Sequence, residues 1–409
     1  MVLFLHNRYR TTGGEERVVE DLMWLVREQL REPAELLSRS SADLGRGGAA
    51  LGLLRGGLES QEVARAVAAG GARVVHAHNL QPAFGWRALA AARSAGARVV
   101  LHLHQYRLVC AIGVCFTRGA ECTRCHGRDT LPGVRLNCRG SVPEAAAYAA
   151  SLAIWQRRMV EQADAFVVPS QFARERLRAL GAPLPWDRVH VIAPPIRALA
   201  KQGPPDVERR SGAAPSPGHG AGSAVGPAPG SAPGPAPGPA PGAGAYALVV
   251  SRLAPEKGVD VAIDACRAAG MPLVIAGDGP QRAELQARAA RSNAAVTFAG
   301  YVEDAELARL RAGASIALVP SRSAETFGLA AAEAMAAGVP VAASRVGALA
   351  ELLEERALVA PGESDALAQA IGRLAGDRVA AMQGRERVRA LCSPEVVAGE
   401  LARLYDGGD

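Results

Sequence analysis

The sequence predicts an α/β fold of two doubly wound, parallel-sheet domains facing each other. Short apolar strands alternate with longer helical stretches in both halves of the chain, and a pattern-free Pro/Gly-rich segment divides them. At 409 residues the chain is long enough for two separate cores. Sheets of this kind take their ligands in the crevice at the C-terminal ends of the strands.

In the first half, residues 2–6 read as a strand, 11–16 as a glycine-rich turn and 18–29 as an amphipathic helix. Residues 73–76 and 98–103 are further apolar strands around an alanine-rich helix at 83–95, and 189–192 closes the series. Gly13 and Gly14 follow the first strand, where a backbone without Cβ can approach a phosphate or sugar closely; a plain tight turn uses the same pair. The opening MVLFLHNRYR is too short in apolar residues for a signal peptide, and no run of eighteen apolar residues occurs. A cytoplasmic protein is therefore expected.

Charge is uneven. Residues 1–200 hold 26 Lys+Arg against 17 Asp+Glu, a net of +9, which leaves 20 against 23, or −3, for the rest of the chain's +6. A basic first half favours a phosphate-bearing substrate or an anionic membrane surface. Its arginines are scattered and aromatic residues make up only 4%, so stacking platforms are scarce and no nucleic acid is expected as a partner. Residues 141–162 form a long helical pattern carrying Trp155, Arg157 and Arg158. It suits packing within the domain, or peripheral contact with the inner face of an anionic membrane.

Two His-x-His pairs, His76/His78 and His102/His104, fall at strand ends, where period two puts each pair on one face. HAHNLQ and HLHQYR bring no further acidic or His ligand, so half-buried strand histidines, or one substrate-contacting His, are expected in place of a metal site. Cysteine is more pointed, with five of the seven between 110 and 138. Cys122-x-x-Cys125 flanked by Cys110 and Cys138 has zinc-ribbon-like spacing, with Cys115 and His126 as spare ligands. In a cytoplasmic protein a structural zinc is expected over disulfides, and unligated reduced thiols are the alternative.

Residues 201–244 contain eleven Pro and eleven Gly with no aromatic residue before the next strand, and cannot bury a core. The expected division is thus a first domain at 1–200, a disordered linker at 201–244, a second domain at 245–392 and a C-terminal helix at 393–409. Strands at 246–251, 272–276, 296–299, 316–320 and 339–343 alternate with helices at 259–269, 281–290 and 329–337. Arg252 and Lys257 stand on the loop after the first of these strands, where two cations can hold a diphosphate against a helix N-terminus. Glu325 lies in the loop before the last helix and Glu333 about one turn inside it, so the two carboxylates can bracket one ligand beside the open helix end. Two solvated glutamates on an Ala-rich helix are the plain alternative.

The order and spacing of GGEE at 13–16, VVHAHN at 74–79, LHLHQYRLVC at 101–110, SRLAPEKG at 251–258, GDGP at 277–280 and ETFGLAAAEAMAAGVPV from 325 carry a resemblance. The chain resembles a family-four retaining glycosyltransferase (glycosyl transferases group 1) of the GT-B architecture, two Rossmann-like domains across a cleft, over nearly everything but the linker. That resemblance implies a nucleoside-diphosphate sugar as donor and a glycan or lipid-linked hydroxyl as acceptor, with no cofactor needed for catalysis. It implies that Arg252 and Lys257 neutralise the diphosphate and that Glu333 binds the ribose. Glu325 and the backbone of Phe327, Gly328 and Leu329 would hold the sugar; Gly14 would make room for the β-phosphate, with Gly13 beside it in the donor site; His104 would stand near the sugar; and the C-terminal helix, 394–405, would cross back to the first domain. The chain departs from the family where Thr326 replaces the usual glycine, and where 347–351 reads GALAE. A sugar-nucleotide epimerase, a glycan phosphorylase and a non-catalytic sugar-nucleotide binder are the other readings.

Overall fold

The computed structural model describes residues 1–9, 13–200 and 246–407; the expected linker lies outside them. The first domain is a six-stranded parallel sheet of β1 (Val2–Arg8), β2 (Ala34–Ser40), β3 (Val74–Ala77), β4 (Arg98–His102), β7 (Ala165–Val168) and β8 (Val189–Val191), in the order β2-β1-β3-β4-β7-β8. Between β4 and β7 a small antiparallel pair, β5 (Phe116–Thr117) and β6 (Ala120–Glu121), sits in the cysteine-rich loop. The second sheet contains β9 (Tyr246–Val250), β10 (Leu273–Ala276), β11 (Val296–Gly300), β12 (Ala314–Val319), β13 (Val341–Ser344) and β14 (Leu358–Val359), ordered β11-β10-β9-β12-β13-β14. Every pairing within both large sheets is parallel. Helices cover both faces, which is why the inner strands read as continuous apolar runs.

Strand order reverses between β1 and β3 in one sheet and between β9 and β12 in the other. These switch points open the crevices where loops can meet a ligand. The first helix starts at Gly14, earlier than its apolar pattern, because the Glu16 carboxylate turns back to accept the Gly13 N–H at 2.9 Å and caps the end.

One boundary moves. Ile196 and Leu199 pack in the core of the second domain, and the Ile196 N–H donates to the Cys392 carbonyl at 2.9 Å, so the first domain ends before residue 196 instead of at 200. Helix Pro394–Asp406 crosses back: Val397, Leu401, Leu404 and Tyr405 complete a core with Val2, Phe4, Val74 and Val100. Among the described residues no helix is long and apolar enough to cross a membrane.

Candidate functional site

At the second switch point, the loop after β9 carries Lys257 and the loop after β12 carries Glu325. Lys257 Nζ donates to Glu325 Oε1 at 2.7 Å, and the Ser321 hydroxyl donates to the same oxygen at 2.6 Å. Burial alone would raise the Glu325 carboxyl; Lys257 and Ser321 outweigh it and hold the group below the usual carboxylate range. Gly347 fixes this loop from behind. Its φ is +58°, and a Cβ there would meet the Glu325 carbonyl oxygen at 2.3 Å, so only glycine fits. The GALAE sequence therefore keeps the one residue whose backbone the loop requires, and the neighbouring Ala348 N–H donates to that carbonyl at 2.9 Å.

Arg252 lies on the same loop, and its guanidinium pairs with Glu256 in the short helical turn Pro255–Lys257. The two cations are on one loop but hold different carboxylates.

Gly328, in the left-handed region at φ 94°, opens helix Leu329–Ala336. Leu329 packs onto the first-domain core and lies 3.5 Å from where a Gly14 Cβ would be, so the helix N-terminus and the Gly13-Gly14 turn face each other across the cleft. Glu333, buried one turn on, is not solvated. Arg17 Nε of the first domain lies 2.7 Å from its Oε1, and Arg311 pairs with its Oε2. Arg17 also pairs with Asp304. Glu325 and Glu333 thus each have a cation in place on the two sides of Phe327-Gly328.

The first-domain wall meets the same loop. The Thr326 hydroxyl donates to the His104 carbonyl at 2.8 Å, and the Ser170 hydroxyl donates to the Thr326 carbonyl at 2.6 Å. The departure at 326 has a structural use: a glycine could not make the bridge to His104. Glu351 makes another, since its carboxylate accepts from the N–H groups of Gln171 and Phe172 at the start of helix Gln171–Ala179. Tyr9, Glu15, Gln105 and Arg107 line a pocket with His78, His102 and His104. There the Tyr9 hydroxyl donates to Glu15 Oε2 at 2.8 Å. Burial pushes the Glu15 carboxyl up.

The His-x-His pairs merge into one stack, in which His76, His78 and His102 are buried where the pattern suggests half-buried strand histidines, and His104 alone is half-buried. The His76, His78, His102 and His104 rings lie nearly parallel, with centroids 4.0 Å apart for His102/His104 and 5.0 Å for His78/His104. His104 Nε2 hydrogen-bonds His78 Nδ1 at 2.7 Å, and His76 Nδ1 hydrogen-bonds the Tyr405 hydroxyl at 2.7 Å. The ligand atoms of His76, His78 and His102 fall within 4.8 Å of one another. Their rings are stacked face to face, so the in-plane lone pairs run side by side and do not converge on an ion. Burial drives His76 down to about 3, with His104 adding to it, and pushes His78, His102 and His104 well below the ordinary range.

Cys110, Cys115, Cys122, Cys125 and Cys138 all line one cavity, and all are free thiols. His126, a spare ligand by spacing, instead packs its ring against Gly181 outside that cavity.

Arg17, Arg311, Ser170 and Tyr405 were not expected at these contacts. Arg17 immediately follows GGEE, and that adjacency was the one available signal.

Residues 8–195 match the family described as a glycosyl transferase 4-like domain, and residues 244–377 the family described as glycosyl transferases group 1. A GDP-mannose-dependent alpha-(1-6)-phosphatidylinositol dimannoside mannosyltransferase of Mycobacterium tuberculosis is 41% identical over 127 residues, covering 29% of this chain and 32% of that protein. A glycogen synthase of the same species is 36% identical over 175 residues, 39% of this chain and 42% of that one. The chain thus spans less than half the length of these curated relatives. In fold it is similar to Anabaena HepE in complex with UDP, with a TM-score of 0.61 and 18% identity over 99% of both chains. It is also similar to sucrose-phosphate synthase of Thermosynechococcus elongatus, with a TM-score of 0.66 and 19% identity over 99% and 98% of the two chains.

Proposed function

Because the chain belongs to the group 1 glycosyl transferases, with a 4-like first domain and the GT-B architecture, we propose that it transfers a hexose-type sugar, with retention, from a nucleoside-diphosphate sugar. The acceptor is a hydroxyl of a glycan or a lipid-linked glycan. The observation that supports this most is the Lys257–Glu325 pair set at the switch point beside the N-terminus of helix Leu329–Ala336.

In this reading the diphosphate lies between Lys257, Arg252 and the helix amides, with Gly13 and Gly14 leaving space for its β-phosphate. Arg252 reaches it by exchanging Glu256 for phosphate oxygens. Glu333 accepts from the ribose hydroxyls. Glu325 and the backbone of Phe327, Gly328 and Leu329 hold the sugar, with His104 on the opposite wall. The bond from C1 to the phosphate oxygen breaks with both electrons leaving on the diphosphate, where fixed positive charge stabilises them. The acceptor oxygen bonds to C1 from the same face, and its proton passes to the departing phosphate oxygen. These protein cations supply the charge neutralisation, so the reaction is proposed to need no metal.

The acceptor side of this reading includes a membrane. Leu51, Leu54 and Ile154 are exposed near Arg55, Arg157 and Arg158, and Trp155 Nε1 ties helix Val142–Glu161 to helix Arg46–Arg55 by donating to the Leu54 carbonyl at 3.1 Å. Apolar side chains rimmed by arginines suit peripheral contact with anionic lipid.

The test is acceptor-dependent release of nucleoside diphosphate, with the product's anomeric configuration read by NMR. The donor base is found by a thermal-shift screen against UDP, GDP, ADP and dTDP, where a ligand at about 100 times its dissociation constant adds about 2.7 kcal/mol. Nucleotide binding with no turnover on any acceptor would refute the enzyme; an inverted product would refute retention.

A further inference from the structure

The loop from Cys110 to Cys138 has too little regular structure to hold itself. It contains the two-residue strands β5 and β6 and a five-residue helix, Leu131–Arg135. A segment of that size is normally fixed by a cross-link, and its cysteines form no disulfide. All five of them nevertheless face the same cavity, whose other lining side chains include Ile112, Phe116 and Leu136 but no carboxylate and no histidine.

Cys115 is the most enclosed of the five, 1% exposed, and lies outside the ribbon spacing of Cys110, Cys122, Cys125 and Cys138.

We propose that Cys110, Cys122, Cys125 and Cys138 bind one zinc ion as four thiolates, with Cys115 in the same cavity but outside the ligand set. Neither the donor site nor the reaction proposed above is needed for this assignment. Among the described residues the set of ligand atoms lying within 4.8 Å of one another is the histidine stack, so the thiols stand wider apart than that. Zinc at about 2.3 Å from each thiolate would bring them to roughly 3.8 Å apart, drawing the loop inward.

The loop props the first-domain wall of the cleft. The Tyr106 N–H donates to the Gly113 carbonyl at 2.9 Å, and the Cys110 N–H to the Tyr106 carbonyl at 2.8 Å. Gly113 packs against Gln105 and Arg107. Metal binding therefore positions the 104–107 segment that Thr326 touches.

The experiment is elemental analysis of the full-length chain purified without chelator, with thiols counted under denaturing conditions. We expect about one zinc per chain, none in Cys122→Ser/Cys125→Ser, and an unchanged content in Cys115→Ser. Cobalt exchanged into the wild-type protein should give thiolate-to-metal charge-transfer bands, and stripping the metal should open the 110–138 loop to protease. If the double variant does not fold, the cobalt spectrum and the protease pattern of the wild-type protein decide the question. Seven free thiols with no metal, zinc retained by the double variant, a cobalt spectrum without thiolate bands, or iron with acid-labile sulfide in place of zinc would each overturn the assignment.

Discussion

Arg17 of the first domain and Glu333 of the second form an ion pair at 2.7 Å across the cleft. With Arg311 on the other oxygen, both acceptors of the Glu333 carboxylate are occupied by arginine. A ribose that uses Glu333 must share or displace one of them, and Arg17, the more exposed, is the one placed to yield. Arg17→Ala is expected to tighten nucleotide binding about fivefold, from a pair worth ~1 kcal/mol at this partial exposure. Calorimetric titration with the nucleotide found in the screen measures it; unchanged or weaker binding would mean that Arg17 does not compete.

The two glutamates should separate kinetically. Glu333→Ala should mainly raise the donor KM, whereas Glu325→Ala should lower kcat on the order of a hundredfold with a smaller effect on binding. Steady-state kinetics of the two variants side by side test this, and near-normal behaviour in both would sink the donor-site assignment.

The histidine stack makes the fold acid-sensitive. Its rings are neutral when folded, with His76 held at about 3 against an ordinary 6.5. Between those values the unfolded chain binds more protons, so stability is lost as pH falls from about 6.5. Glu325, held below 4.5 by Lys257, adds to the loss in the more acidic part of that range. Thermal melts across pH should show Tm falling below neutrality, with a shallower slope in His78→Phe, which removes a buried ring whose Nε2 has no partner. A Tm independent of pH from 7 to 4 would contradict the neutral stack.

Two connections join the domains, the short stretch from the end of β8 to Ile196 and the pair of helices Arg378–Cys392 and Pro394–Asp406, while residues 201–245 fall between Leu199 and Tyr246, which both belong to the second domain. Deleting about thirty residues within 212–241 is expected to leave turnover largely intact. Leu401→Ala, at a fully buried position, should cost about 2–5 kcal/mol. Truncation after Leu391 should abolish activity. Loss of activity in the internal deletion alone, measured by nucleotide release, would reverse this picture.

What the sequence made legible was what local pattern encodes. β1, β3, β4 and β9 are apolar runs, and the loops after β9 and β12 carry their own glycines. Ala34–Ser40 escaped notice because it is an edge strand with only Ala34 fully buried, and Ala165–Val168 because four residues between two helices give no period. The contacts made by Arg17 and Thr326 could not be read locally. Each depends on a partner more than 200 positions away, and an arginine in an amphipathic helix looks the same whether it meets water or Glu333. The histidines were visible as pairs; that two pairs from adjacent strands would interleave into one stack follows only from the β3–β4 register.

The crossing helix also bears on how the protein is made. Val2, Phe4, Val74 and Val100 have no complete cover until Val397, Leu401 and Tyr405 are in place. During synthesis the first domain therefore leaves the ribosome with the part of one sheet face beside helix Gly14–Glu28 uncovered, and that part stays open while about two hundred more residues are added, at roughly 5–20 per second. For tens of seconds an apolar surface waits for its partner, which makes the nascent first half a client for chaperones and an expression-sensitive step. A first domain produced by itself should be sticky, unless helix Pro394–Asp406 is supplied in trans to cover it.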